Sequence, residues 1–206
     1  NLPLIKSLID TGKPLILSTG MSTENEINKT VSYLLKHSAN FVLLHCNSTY
    51  PAPIQDINLR WIKQLKKIHD YVGYSGHERG INISLASISF GICMIERHFT
   101  QDRNMEGPDH AASLNPKELI SMVKSIRASE IILGKTKKFV SKSEKKNILI
   151  ARKSLFAAKS IKKGEKFSLD NLVCLRPGSG ISPKKIDKVL GQKAKKNFLK
   201  GKLIKI

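Results

Sequence analysis

Along residues 1–133 a short apolar run and a longer stretch of helical spacing alternate four times. PLILSTGM (14–21) is a continuous apolar run that breaks at Ser-Thr-Gly, the pattern of a buried parallel strand and its turn. Thr23-Glu24-Asn25-Glu26 then reads as a capping box, followed by Ile27, Val31, Leu34 and Leu35 on one helical face. NFVLLHCN (40–47) and YVGYS (71–75) predict the second and third strands, and ICMIERHFT (92–100) the fourth. The helices between them are predicted over 58–69 and 81–91. A last helix begins at Asn115, with Pro116 at its first position and Glu118 at its third.

Repeated strand–loop–helix units predict an α/β fold with a parallel sheet. An open doubly wound sheet would carry a glycine-rich phosphate loop after its first strand, and STGMST is neither GxGxxG nor a P-loop. A barrel instead gathers polar residues at strand after strand on its C-terminal rim. The strand ends here read Ser18-Thr19, His45-Cys46, Ser75-Gly76-His77 and Glu96-Arg97-His98, so the barrel is preferred. Four units are half of a (β/α)8 barrel. The chain also opens on Asn1 inside a helical pattern, and an N-terminal half is therefore expected ahead of it.

The pattern changes after 135. Residues 136–150 are rich in lysine and serine and read as a linker. From 151 to 206, SIKKGEKFS and NFLKGKLIKI echo one another around the RPGSG turn, predicting a small, turn-rich β module. Charge follows the same division: residues 134–206 hold 22 Lys/Arg against 4 Asp/Glu, within a total net charge of +20. That excess leaves a polyanion-binding or nucleic-acid-binding module as the second reading, although no aromatic platform or known nucleic-acid motif accompanies the lysines. No run approaches the length of a membrane-spanning helix. Cys46, Cys93 and Cys174 are odd in number and widely spaced, which predicts reduced thiols and a cytoplasmic protein.

Two histidines, His77 and His98, end adjacent predicted strands. Neighbouring strands lie about 4.8 Å apart, so both imidazoles could share a divalent cation with positions left open for substrate and water. Each could equally be satisfied by a local carbonyl, and the residues alone leave both readings open. Asp109, in a Gly-Pro-Asp turn, could serve a metal-linked water or a sugar hydroxyl, or simply pair with Arg103. His45 and His37 read as structural, and His69 and His110 carry no assigned role.

The segments LSTGMST, HCNSTYPAP, INLR, VGYSGHERGI, ERHFTQDRNMEGPDHAASL and LRPGSGISP occur in an order and spacing that resemble the sialic acid synthase family over essentially the whole chain. The resemblance implies the C-terminal half of a TIM barrel over 1–135 and a small β-clip (SAF, antifreeze-like) domain over 151–206. It implies condensation of phosphoenolpyruvate with N-acetylmannosamine or a related N-acetylated hexose, giving a nonulosonate and phosphate. His77 and His98 would hold the metal, most often Mn2+, with Mg2+ or Co2+ as alternatives. Ser18 and Ser75 would contact phosphoenolpyruvate, Tyr50 would lie beside the sugar, and Asp109 near the metal and the acceptor hydroxyls. Arg176 would reach the N-acetyl sugar in the partner of a domain-swapped homodimer. Ser48 stands where relatives often carry Asn, and Gly76 where many carry Asp, which leaves the acceptor sugar open. The family's first four strands supply further phosphoenolpyruvate-binding groups, so this chain alone is expected to be a poor catalyst.

Overall fold

A computed structural model describes all 206 residues, which divide into two compact units, Asn1–Gly134 and Lys135–Ile206. In the first unit the order is α1 (Leu2–Asp10), β1 (Leu15–Ser18), α2 (Glu24–Lys36), β2 (Phe41–Cys46), α3 (Ile62–Ile68), β3 (Val72–Gly76), α4 (Asn82–Ile88), β4 (Ile95–Arg97) and α5 (Pro116–Leu133). The four strands pair in parallel in the order β1-β2-β3-β4. Strand order follows chain order without the reversal of a doubly wound sheet, which is the winding of a half-barrel.

Alternation along these strands separates two faces. Leu15, Phe41, Leu43 and Val72 point to the helical side, where they form one core with Ile27, Val31 and Leu34 of α2 and Ile62 and Leu65 of α3. The other face carries Ser18, Leu44, Cys46, Ser75 and Glu96, aligned by the pairs Ser18↔Leu44, Cys46↔Ser75 and Ser75↔Glu96. Gly73 is required here. A Cβ would come within 2.4 Å of the Leu44 side chain and 2.7 Å of the Met94 carbonyl.

The expected caps form. Thr23 and Glu26 close a capping box on α2, and Asn115 and Glu118 close another on α5. The helix expected over 58–69 opens as a 3-10 turn at Leu59–Trp61 before α3. β4 is shorter than expected, although its backbone engages β3 earlier, Cys93 N–H donating to Val72 at 2.9 Å. His98 therefore lies just past regular pairing.

In the second unit, the stretch read as a linker carries a helix, α6 (Lys142–Ala151), with a Ser141–Glu144 capping box. Its C-terminal end is tied to the RPGSG turn: Gly178 N–H donates to Leu149 O at 2.7 Å and Arg176 Nε to Ala151 O at 3.0 Å. β5 (Ser154–Ala157) and β6 (Leu172–Leu175) pair antiparallel, and the short α7 (Ile186–Val189) follows. The two echoing segments meet as equivalents. Ile161 and Phe198 exchange backbone hydrogen bonds, while Gly164 donates to Ala194 O and Gly201 to Ala157 O, each at 2.8 Å. This internal two-fold encloses a core of Leu155, Ile161, Phe167, Leu172, Phe198 and Ile204. The Phe167 and Phe198 rings, 6.0 Å apart, add about 0.5–1.5 kcal/mol beyond their burial.

Candidate active site

The β3–β4 register Ser75↔Glu96, Gly76↔Arg97, continued by one residue, puts His77 level with His98. Their ring centroids are 5.1 Å apart and nearly perpendicular, at 82°. His77 is buried; its Nδ1 lies 2.7 Å from the Asn47 carbonyl. A carbonyl can only accept, so Nδ1 carries the proton and Nε2 presents a lone pair. That lone pair faces the Tyr50 hydroxyl at 3.2 Å and Ser75 Oγ at 3.5 Å. The Tyr50 ring stacks on His77 with centroids 4.2 Å apart and tilts against His98 at 5.1 Å. Partial burial above all, and then negative charge at Cys46, Asp109 and Glu96, holds the Tyr50 hydroxyl above its ordinary pKa. It stays a donor.

Asp109 joins this group: its Oδ2 lies 3.6 Å from His98 Nδ1. The alternative of an Arg103 pairing is not what forms, because Arg103 binds Glu118 and the Ser113 carbonyl. The loop carrying Asp109 is held by the next residue, His110, whose Nδ1 is 2.7 Å from Thr100 Oγ1. Ser75 is buried and donates to Glu96 Oε1 at 2.7 Å. Ser48 connects less directly, its Oγ 3.7 Å from Cys46 Sγ, which is itself 3.7 Å from His77 Nδ1. Ser18 ends β1 on the same face and is exposed. Arg176 belongs to the second unit, where it is exposed. The structure thus gathers His77, His98, Tyr50, Ser75 and Asp109 in one cluster, with Ser48 at its margin.

Two members were not singled out from sequence. Glu96 shares strand parity with His98 and could have been found by that alternation. The Asn47 carbonyl has no side-chain signature at all. A cleft of about 540 Å3 lined by Thr19, Met21, Cys46, Asn58 and Trp61 borders the cluster at Cys46 rather than covering it.

The cluster fits a divalent cation in one specific sense. His77 is set up as metal-ligating histidines usually are, its second nitrogen donating to a carbonyl and so fixing the tautomer. No group of three or more His, Cys, Asp or Glu side chains is placed to hold an ion. Two imidazoles would therefore be the side-chain donors, leaving other positions to substrate oxygens and water.

The remaining histidines are structural. His37 caps α2 and bonds Tyr33 O, and His69 stacks on Phe41 with centroids 4.0 Å apart. His45, buried on the helical face, lies with Nε2 2.6 Å from Ile57 O. Burial pushes its pKa below the ordinary 6.5, partly opposed by that hydrogen bond. The unfolded chain therefore takes up a proton that the folded one resists, and stability held above pH 6.5 falls as pH drops below it. Urea midpoints should decline with falling pH before the carboxylate range is reached. The decline should be shallower in His45→Gln, and an unchanged slope would remove His45 as its source.

Residues 1–138 match the NeuB family and residues 152–206 the SAF domain. The N,N'-diacetyllegionaminic acid synthase of Campylobacter jejuni is 48% identical over all of this chain and 63% of its own length. The human N-acetylneuraminate-9-phosphate synthase is 34% identical over 94% of this chain and 55% of its own length. The solved N-acetylneuraminic acid synthetase of Leptospira borgpetersenii superposes with a TM-score of 0.67 at 38% identity, over 72% of this chain and 52% of that one. The chain thus spans about 55–63% of the length of these curated relatives. No helix is long and apolar enough to cross a membrane.

Proposed function

The chain belongs to the NeuB family, and from that membership we propose that it forms the metal-binding side of a nonulosonate synthase site. The reaction joins phosphoenolpyruvate to an N-acetylated hexose and releases phosphate. The observation that carries this reading is the cluster of His77, His98, Tyr50 and Asp109 on one end of a parallel sheet. A divalent cation held by His77 and His98, Mn2+ in the first instance, would supply Lewis-acid polarisation of an aldehyde oxygen.

In the proposed reaction the terminal vinyl carbon of phosphoenolpyruvate bonds to the aldehyde carbon, whose oxygen becomes a hydroxyl. Water adds at the carbon bearing phosphate, and the bond between that carbon and the phosphate oxygen breaks. Ser75 and Ser18 offer hydroxyls to the phosphate or carboxylate, with Glu96 orienting Ser75. Tyr50 lies against both imidazoles, where a sugar would rest, and donates to whatever occupies the His77 side. Asp109, half-exposed beside His98, orients the attacking water or takes its proton. Arg176 of a second copy would contact the N-acetyl group, which makes the active form a homodimer. A phosphoenolpyruvate-consuming enzyme with three free thiols belongs in the cytoplasm.

The similarity to the Campylobacter jejuni synthase, above that to the human one, supports a diacetamido-trideoxy hexose as acceptor. Phosphate release by the full gene product is measured with N-acetylmannosamine, its 6-phosphate and 2,4-diacetamido-2,4,6-trideoxymannose, with and without Mn2+. Mn2+-dependent release is expected with the diacetamido sugar above the other two. No release with any of them overturns the synthase reading. Preference for N-acetylmannosamine or its 6-phosphate overturns the acceptor assignment alone.

A further inference from the structure

We propose that the buried ion pair between Arg97 and Glu78 is the positioning device that fixes the two imidazoles relative to one another, and through them the affinity of the site for a divalent cation. The second half of this statement rests on reading His77 and His98 as the cation's holders; the first half does not.

Glu78 follows His77 directly and Arg97 directly precedes His98. Alternation sends the histidines to one face of the sheet and Arg97 to the other, so the pair sits behind the cluster without touching it. There the Arg97 guanidinium reaches across from β4 to the β3–α4 loop. Its Nη1 donates to Glu78 Oε1 at 2.9 Å, Gly80 O at 2.8 Å and Ser84 Oγ at 2.8 Å, and its Nη2 donates to Glu78 O. Tyr74 donates to the other carboxylate oxygen at 2.7 Å. Both charged side chains are almost wholly buried, at 3% and 1% exposure. Gly76 makes room for them, since a Cβ there would meet Glu78 Oε2 and Tyr74 at 2.8 Å and Arg97 at 3.0 Å.

What else could hold the two histidines in register? Regular β3–β4 pairing ends at Gly76↔Arg97, one residue short of both. Beyond it their backbones turn to different neighbours: Ala52 N–H donates to His77 O at 3.1 Å, while Leu114 N–H donates to His98 O at 2.9 Å. No backbone hydrogen bond joins the His77 segment to the His98 segment at this level. The guanidinium fork does, gripping the Glu78 and Gly80 carbonyls and a carboxylate in a geometry that a lysine cannot reproduce. Arg97 Nε is the one buried side-chain polar atom left without a partner, so the fork is oriented toward the loop at the expense of its own third nitrogen. Buried pairs of this kind add little net stability over apolar residues of the same volume, and what they contribute is a defined geometry.

The test uses the full gene product and two variants that avoid leaving a lone buried carboxylate. Arg97→Lys keeps the charge and loses the fork, and Glu78→Gln/Arg97→Met removes both charges. Two readouts separate positioning from support of the fold: the NOE between His77 and His98 ring protons in metal-free protein, and Mn2+ affinity followed by electron paramagnetic resonance. In variants that still unfold cooperatively, the ring NOE should be lost and Mn2+ binding should weaken by about 10–100-fold, the range seen for partners that orient metal ligands. A retained NOE, with affinity within about twofold of the parent, overturns the proposal and leaves the pair a fold-supporting contact. If the parent binds no Mn2+, or His98→Ala binds it as tightly, the cation reading falls, while the NOE still decides the positioning claim. Should both variants fail to fold, Tyr74→Phe, which frees only Glu78 Oε2, gives the same two readouts on a milder scale.

Discussion

His98→Ala in the full gene product should lower Mn2+-dependent phosphate release by about a thousandfold or more. Polarisation of a carbonyl by a bound cation contributes several kcal/mol, and each 1.4 kcal/mol is about a factor of ten in rate. His77→Ala should be at least as severe, because it also removes the partner of Tyr50 and of the Asn47 carbonyl. The two variants differ in what they cost the fold. The His98 side chain is 33% exposed and its polar neighbour is Asp109 at 3.6 Å, so His98→Ala should unfold in urea close to the parent. His77 is buried, and its loss leaves the Asn47 carbonyl without that donor. A rate loss in His98→Ala with an unchanged urea midpoint therefore reads as chemistry. Asp109→Asn should reduce turnover and also weaken Mn2+ binding, since Asp109 stands at His98 Nδ1, where a metal-ligating histidine usually meets the partner that orients it. Retained, Mn2+-stimulated turnover in His98→Ala would end the metal assignment.

Much of this site was legible because strand periodicity is a strong constraint. Once residues 72–76 and 95–97 are parallel neighbours, the parity of the side chains decides which face each takes, and two histidines each one residue past a strand are sent to the same face at the same end. The caps were legible for a similar reason: Thr23–Glu26 and Asn115–Glu118 satisfy orphan helix N–H groups at fixed spacing. The same spacing occurs at Ser141–Glu144, yet composition alone reads that stretch as a linker. Its apolar residues Ile148, Leu149 and Ile150 are consecutive rather than on one stripe, and the helix buries none of its residues. Here the cap was the better guide than the hydrophobic pattern.

What remained hidden depends on partners that sequence does not encode locally. The Asn47 carbonyl fixes the His77 tautomer, and any residue type could have supplied it. Arg97 and Glu78 are separated by 19 positions on different elements, and in the string Glu96-Arg97-His98 nothing distinguishes the arginine from its rim neighbours. Glu96, by contrast, follows from strand parity alone. It shares a face with His98 and bonds Ser75, so the serine's hydroxyl orientation is set by a residue of the adjacent strand. A strand of three residues and the histidine that follows it can thus serve two faces at once, with Glu96 and His98 supplying one and Arg97 the other.

That double duty leads to the largest expected effect on stability. Arg97→Met should cost about 3–5 kcal/mol, read as a lower urea midpoint, because it strands a carboxylate away from water. Glu78 would keep only the Tyr74 hydroxyl at 2.7 Å and the Ser84 hydroxyl at 3.4 Å, while the Glu78 and Gly80 carbonyls would each lose a donor. Adding Glu78→Gln should recover a large part of the loss even though it deletes the second charge, since a neutral amide is far cheaper to bury than an unpaired carboxylate. The sign of that second step is the decisive quantity. If Glu78→Gln destabilises the Arg97→Met protein further, the carboxylate is not isolated from solvent and the network does not close as its distances indicate. If it stabilises, the pair's worth lies in mutual neutralisation within a fixed geometry, and either residue alone is a liability at the back of the histidine cluster.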